Sequence, residues 1–246
     1  VGAYQDSAPD ANTGSVYIFE RVTVDSVVSW TQQQNMVSNN IAANDAFGTS
    51  VAISGGRVVV GAPFEDVGGS ASGAAYVFES VAGVWPATET HILRASDDST
   101  GDEFGTSVSI SGDYIMVGAP DENGSRGASY VYVRSSSAGT VSWTQSPLTT
   151  SVVAPVRGSS DLFGWSVAIG SGGYALVGAK FNDLAGTKAG MVYAVEATVT
   201  QHTSTVPTLR APTVLQIDGT TDTLSIENNM GESWDQDATT GNEDKY

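Results

Sequence analysis

Acidic side chains supply most of the chemistry this chain can offer. Asp97-Asp98-Ser99-Thr100-Gly101-Asp102-Glu103 is the densest run, and shorter groups stand at Glu65-Asp66, Asp121-Glu122 and Asn182-Asp183. Carboxylate and hydroxyl oxygens at this spacing suit a hard cation, which takes about six to eight oxygen ligands. The same Asp and Asn residues form Asx turns that cap loops, and that structural reading takes precedence. Calcium in the Asp-rich loops is kept as the alternative. Near the C-terminus, Asp235-Gln236-Asp237-Ala238-Thr239 with Gly241 and Glu243 has some liganding rhythm, but its glycine is out of the expected slot.

Other reactive constellations are sparse. His91 and His202 are the only histidines, far apart in sequence and without an acid or nucleophile pattern beside them. Cysteine is absent, which removes disulfides, thiolate metal sites and cysteine nucleophiles together. The glycine-rich turns lack the lysine and following helix of a phosphate loop. Trp30, Trp85 and Trp143 are read as recurring at one position and packing on outer strands, in preference to a sugar-stacking platform. Asn123-Gly124-Ser125 is an acceptor sequon in an expected loop. The formal net charge of -17 and a pI near 4.1 argue against nucleic acid and against anionic membranes, since phosphate binding needs a basic face. No apolar run is long enough to span a bilayer as a helix.

What positions these groups is a repeat. Residues 47–63 read FGTSVAISGGRVVVGAP, residues 104–120 read FGTSVSISGDYIMVGAP, and residues 163–180 read FGWSVAIGSGGYALVGAK. Val1-Gly2-Ala3-Tyr4 matches only the end of that unit, so the chain is expected to begin partway through an earlier copy, as a processed or partial product. A period of about 57 to 60 residues marks units too small to bury a hydrophobic face alone.

Each unit reads as four strands. In the first they are residues 50–53, 57–61, 73–78 and 84–93; in the second 107–110, 114–118, 127–133 and 141–145; the third keeps 166–169, 174–178 and 190–195. The partial unit supplies 14–19 and 27–32. Alternating runs suit half-covered strands, whereas Val58-Val59-Val60 suits one covered on both faces. Residues 213–217 and 223–226 form an expected hairpin within a Thr-, Ser- and Pro-rich and acidic C-terminal extension, 198–246. No helix of ordinary length is supported, and the chain is all-β. Gly48, Gly105 and Gly164 let the backbone turn sharply beside Phe47, Phe104 and Phe163, which wedge between neighbouring units. Gly61-Ala62-Pro63, Gly118-Ala119-Pro120 and Gly178-Ala179 stand where units approach closely. These residues are structural, and no catalytic or metal-ligating residue is assigned.

The pattern F-G-x-S-V-x-I, then V-G-A-P, then G-x-x-Y-V-F resembles the FG-GAP repeat, the blade unit of the integrin α-chain N-terminal propeller and of related extracellular and bacterial surface proteins. It covers residues 1–197: a partial blade (1–46), two blades (47–103 and 104–162) and a third (163–197) that is incomplete or closed by the tail. The resemblance implies a β-propeller of four-stranded antiparallel blades, extracellular or at the cell surface, used for adhesion or association. Integrin-type blades often carry a D-x-D-x-D-G-x-x-D calcium loop between the F-G and G-A-P strands. Here those turns are Ser54-Gly55-Gly56-Arg57, Ser111-Gly112-Asp113-Tyr114 and Gly170-Ser171-Gly172-Gly173, too short to supply the ligands.

Three copies and a part leave a ring open, and open blade faces expose apolar surface. Closure by the tail, by a second copy, or by blades supplied from elsewhere are the available routes, the last two being preferred. The expected function is a non-enzymatic module that binds a protein or glycan through its loops. A filament subunit and a carbohydrate-cleaving enzyme are the rivals. The enzyme would need convergent carboxylates or a Lys/His/Tyr set near the axis, where the repeats place Ser and Ala.

Overall fold

The computed structural model describes residues 1–7, 11–146, 158–171, 174–183 and 186–196, and the backbone of three short strands between 214 and 234. The strands form where β-branched and aromatic residues alternate with small ones. The first sheet contains β1 (Gly2–Ala3), β2 (Ser15–Val24) and β3 (Val27–Met36). The second contains β4 (Ser50–Ser54), β5 (Arg57–Ala62), β6 (Ala74–Glu79) and β7 (His91–Leu93). The third contains β8 (Ser107–Ser111), β9 (Tyr114–Ala119), β10 (Ala128–Ser137) and β11 (Thr140–Gln145). The fourth contains β12 (Phe163–Ile169), β13 (Tyr174–Ala179) and β14 (Met191–Glu196). A fifth joins β15 (Val214–Ile217), β16 (Leu224–Glu227) and β17 (Ser233–Trp234), with Leu215 opposite Ile226. All pairings within the sheets are antiparallel between successive strands. Among the described residues no hydrogen-bonded strand pair joins the fourth sheet to the first. Residues 198–212, His202 and the acidic stretch 235–243 lie outside the described residues.

The tight connections follow from their composition. Ser54 pairs with Arg57 across Gly55-Gly56, and Ser111 pairs with Tyr114 across Gly112-Asp113. Gly55 and Gly112 each adopt φ 56°, which a residue without a Cβ takes at little cost. Glu122–Ser125 makes one tight turn, with Asn123 and Gly124 at φ 52° and 69°.

Two strand assignments change. The expected strand over 84–93 is reduced to His91–Leu93. Val81 and Val84 instead close a small turn through reciprocal N–H···O bonds of 3.1 and 3.0 Å, and Pro86 has no N–H to give a ladder. Trp85 therefore leaves the strand and packs half-buried against the core. β2 and β3 extend well beyond the expected runs, to Val24 and Met36.

The core lies between sheets. Val58, Val60, Tyr76 and Phe78 pack with Val16, Met36 and Phe47 of the preceding segment. Val59, Ala75, Val77 and Leu93, on the opposite face, pack with Phe104, Val108, Ile110 and Tyr130 of the following one. Central strands buried on both sides must be apolar throughout, which is why β5 carries three consecutive valines. Phe47, Phe104 and Phe163 are fully buried in equivalent surroundings, each ring centroid 5.4 Å from that of Tyr76, Tyr130 or Tyr193.

Where the sheets meet, their backbones nearly touch. The Ser50 hydroxyl donates to the Gly105 carbonyl at 2.7 Å, and Ser107 repeats the bond to Gly164 at 2.8 Å. A Cβ placed on Gly61 would stand 1.9 Å from the Gly105 oxygen, and one on Gly118 2.0 Å from the Gly164 oxygen. These serines and glycines join consecutive sheets at the F-G strands β4, β8 and β12.

A second fastening joins the second and third sheets at the hairpin-turn end. Arg134 holds Glu79 through Nε to Oε1 at 3.2 Å and Nη2 to Oε2 at 3.0 Å, while Trp143 Nε1 donates to Oε1 at 2.7 Å. Arg57 lies 3.7 Å from the same carboxylate and 3.3 Å from Asp113. Burial alone would raise the Glu79 carboxyl, but the bonds from Arg134 and Trp143, with the charges of Arg134 and Arg57, outweigh it and hold it below its ordinary value. Trp143 is thus a buried interface residue. Trp30, opposite Arg21 as Trp143 is opposite Arg134, is exposed, and Trp85 belongs to no strand, so the three tryptophans do not share one position.

Candidate functional site: the acidic loop rim

The loops at the other end of the sheets, before each F-G and after each G-A, gather the acidic residues. Asp45, Asp102 and Asp161 each stand two positions before the repeat phenylalanine and are buried. Each accepts a backbone N–H from three residues upstream: Ala42 at 2.7 Å, Ser99 at 2.9 Å and Gly158 at 2.7 Å. The next residue adopts a left-handed conformation in every copy: Ala46 at φ 57°, Glu103 at 55° and Leu162 at 54°. An aspartate that ties down its own loop stabilises this entry into the F-G strand. Of the three, the sequence reading takes up only Asp102, as part of an acidic run, although their common offset from phenylalanine is visible in the three copies.

A second recurring position follows the G-A pair: Asp6, Glu65, Glu122 and Asn182. Tyr17 donates its hydroxyl to Asp6 Oδ2 at 3.1 Å, and Asn182 Nδ2 bridges Asp161 Oδ2 at 2.8 Å and the Tyr193 hydroxyl at 3.2 Å. Glu65 is buried and held by Arg94 at 2.5 Å, Asn40 Nδ2 at 3.2 Å and the Val67 N–H at 3.2 Å. Arg94 is therefore the cation that neutralises this rim in the second sheet.

Asp97, Asp102, Asp121 and Glu122 line an open cavity of about 560 Å³, with Ser99 and the Asn123-Gly124-Ser125 turn completing its wall. The Ser125 hydroxyl donates to Asp121 Oδ1 at 2.6 Å. Burial, reinforced by Glu122, Asp98 and Asp97 and opposed by the Ser99 N–H, pushes the Asp102 carboxyl up to about 6. Burial and the neighbouring Asp121 push Glu103 up to about 7. Crowded carboxylates attract cations and hold protons near neutral pH. Among the described residues no three His, Asp or Glu side chains converge as a set that could hold a metal ion. His91 sits on β7 with Nε2 3.1 Å from the Val141 carbonyl and Nδ1 3.2 Å from Thr90, a contact between strands of adjacent sheets.

The raised groups set a sign for pH dependence. With folded values above the ordinary 3.8 and 4.5, Asp102 and Glu103 bind more protons in the folded chain than in the unfolded one between about pH 4 and 7. Their contribution to stability therefore grows as pH falls through that window. The urea midpoint is expected to be higher at about pH 5 than at about pH 8, and Asp102→Asn with Glu103→Gln should flatten the difference. A midpoint that falls steadily from about pH 8 to 5 in the parent chain, unchanged by the substitutions, would contradict this.

A family model described as FG-GAP repeat matches residues 30–78, 87–132 and 148–195, more than half of the chain. The first match begins within β3 of one sheet and ends within β6 of the next; the second begins just before β7 and ends within β10. The matched unit is thus offset from the sheets. No curated protein matches the chain.

Proposed function

Because this chain belongs to the FG-GAP repeat family, its sheets being propeller blades, we propose that it is a non-enzymatic, extracellular interaction module that binds a protein partner through the acidic loop rim. The supporting observation is the cavity walled by Asp97, Asp102, Asp121 and Glu122. It favours a partner that presents lysine or arginine side chains over a neutral or acidic glycan, because unlike charge is what such a rim attracts. A glycan would use a ring-stacking surface, whereas the described residues that line the cavity are acidic, hydroxyl-bearing, amide or glycine. No helix among the described residues is long and apolar enough to cross a membrane.

A short oligolysine peptide, titrated calorimetrically into the full chain, tests this directly. Saturable binding is expected that weakens with added salt and drops several-fold in an Asp121→Asn, Glu122→Gln double variant. Binding of equal strength to parent and variant would place the attraction in the overall charge and overturn the assignment to this rim.

A further inference from the structure

The connection that follows the G-A pair differs between the central sheets. Residues 63–72 lead from Ala62 to Gly73 in the second sheet, whereas the shorter run 120–126 leads from Ala119 to Gly127 in the third. That shorter run turns on Asn123-Gly124, the one Asn-Gly pair in the chain. Asn123 and Gly124 adopt φ 52° and 69°, and both are exposed. The turn is tied at its ends, where the Ser125 N–H reaches the Asp121 carbonyl and the Gly127 N–H the Glu122 carbonyl, each at 3.0 Å. Between those ties, a Cβ on Gly124 would meet nothing within 4 Å. Other asparagine carboxamides are held in place: Asn12 Nδ2 donates to Asn44, Asn40 Nδ2 to Glu65, and Asn182 Nδ2 to Asp161 and Tyr193.

We propose that Asn123-Gly124 is a self-modifying site, where the chain deamidates without an enzyme and adds a carboxylate to the wall of the acidic cavity. The Gly124 amide nitrogen gives its proton to solvent and attacks Asn123 Cγ; the new N–Cγ bond closes a succinimide ring, and Nδ2 leaves as ammonia. Water then opens the ring at either carbonyl, leaving aspartate or isoaspartate. Asparagine is a thermolabile residue, and the attacking and accepting groups are held next to each other along the chain. Glycine has no Cβ to hinder the attack or the rotation about the Asn123 Cα–C bond that precedes it. Asp121 and Glu122 oppose a further negative charge, and the exposure of Asn123 lets solvent screen that opposition.

Asn123 and Gly124 line the same cavity as Asp97, Asp102, Asp121 and Glu122. The new carboxylate therefore strengthens its pull on a cationic partner. That effect rests on the rim being the binding surface; the deamidation itself does not.

The full chain, held for days in mildly alkaline buffer either folded or in urea, is digested with trypsin. Cleavage after Arg94 and Arg126 releases residues 95–126, in which Asn123 is the sole amide side chain, so an amide-to-acid mass change in that peptide reports this site alone. Conversion to an aspartate and isoaspartate mixture is expected in the folded chain within about ten-fold of the rate in urea, as for a turn that opens locally at little cost. Asn123→Gln should remove it. Conversion in urea alone would mean that the fold protects the turn, and overturns the proposal. Asn123→Asp should bind the oligolysine peptide about two- to five-fold more tightly than the parent at low salt. An Asn123→Asp chain that binds no better, beside an Asp121→Asn, Glu122→Gln chain that binds worse, overturns the link to the cavity. If oligolysine binds none of these chains, the rim is not the binding surface, and the mass change in residues 95–126 still decides the modification.

Discussion

Gly118→Ala is expected to destabilise the chain by about 3 kcal/mol or more, at the upper end of what overpacking does. The added methyl would lie 2.0 Å from the Gly164 carbonyl oxygen and 2.4 Å from Ser107 Oγ. The serine hydroxyl can rotate away, but the carbonyl belongs to the backbone of the next sheet and cannot move without parting the two. Gly118 does not have positive φ, so the loss is steric and not conformational. An internal control exists in Gly178, at the same repeat position, where the three atoms nearest an added Cβ all belong to Ser166, the closest being its Oγ at 2.4 Å. Gly178→Ala should therefore cost about 1 kcal/mol or less. Urea denaturation of both variants checks the pair; equal losses would mean that the close approach between sheets is not what excludes a side chain here.

Phe104→Ala should remove about 3 to 5 kcal/mol, the range for emptying a fully buried aromatic site. The ring sits 5.4 Å from Tyr130 and 6.1 Å from Tyr132 and touches a cluster drawn from two sheets. Backbone-tethered β-strands on both sides limit how far the cavity can collapse. The expected result is a lower urea midpoint with earlier exposure of Trp143, read by fluorescence. Phe104→Leu should recover a large part of the loss. If Phe104→Ala cost less than about 1 kcal/mol, the phenylalanine would not be the wedge that couples the second sheet to the third.

Much of this architecture is written in local patterns. Period-two alternation marks β8 and β12, the triple valine marks β5 as buried on both faces, and Gly55-Gly56 and Gly112-Asp113 mark the hairpins. Each depends on neighbours in sequence, so the chain displays it directly. The Glu79 fastening was not legible, because its partners Arg134 and Trp143 are 55 and 64 residues away and do not recur in all copies. The exposure of Trp30 was equally hidden: it stands opposite Arg21 as Trp143 stands opposite Arg134, but the sequence does not show that Trp143 meets Glu79 of another sheet. Val84 to Leu93 misled for a different reason, since apolar residues on either side of Pro86 imitate a strand that a missing amide hydrogen forbids. The aspartate before each phenylalanine is the instructive case. It was visible at a constant offset, but its meaning came from the hydrogen bond to its own loop.

The offset between the matched unit and the sheets has one more consequence. Residues 30–78 contribute part of β3 to the first sheet and β4, β5 and β6 to the second, and residues 87–132 contribute β7 to the second and β8, β9 and the start of β10 to the third, so each of these two segments adds to the sheet begun before it. During synthesis, a nascent chain of this kind acquires structure one step behind its own elongation. Deleting residues 87–132 would bring the end of β10 and β11 directly behind β4, β5 and β6, placing β11 where the outer strand of that sheet belongs.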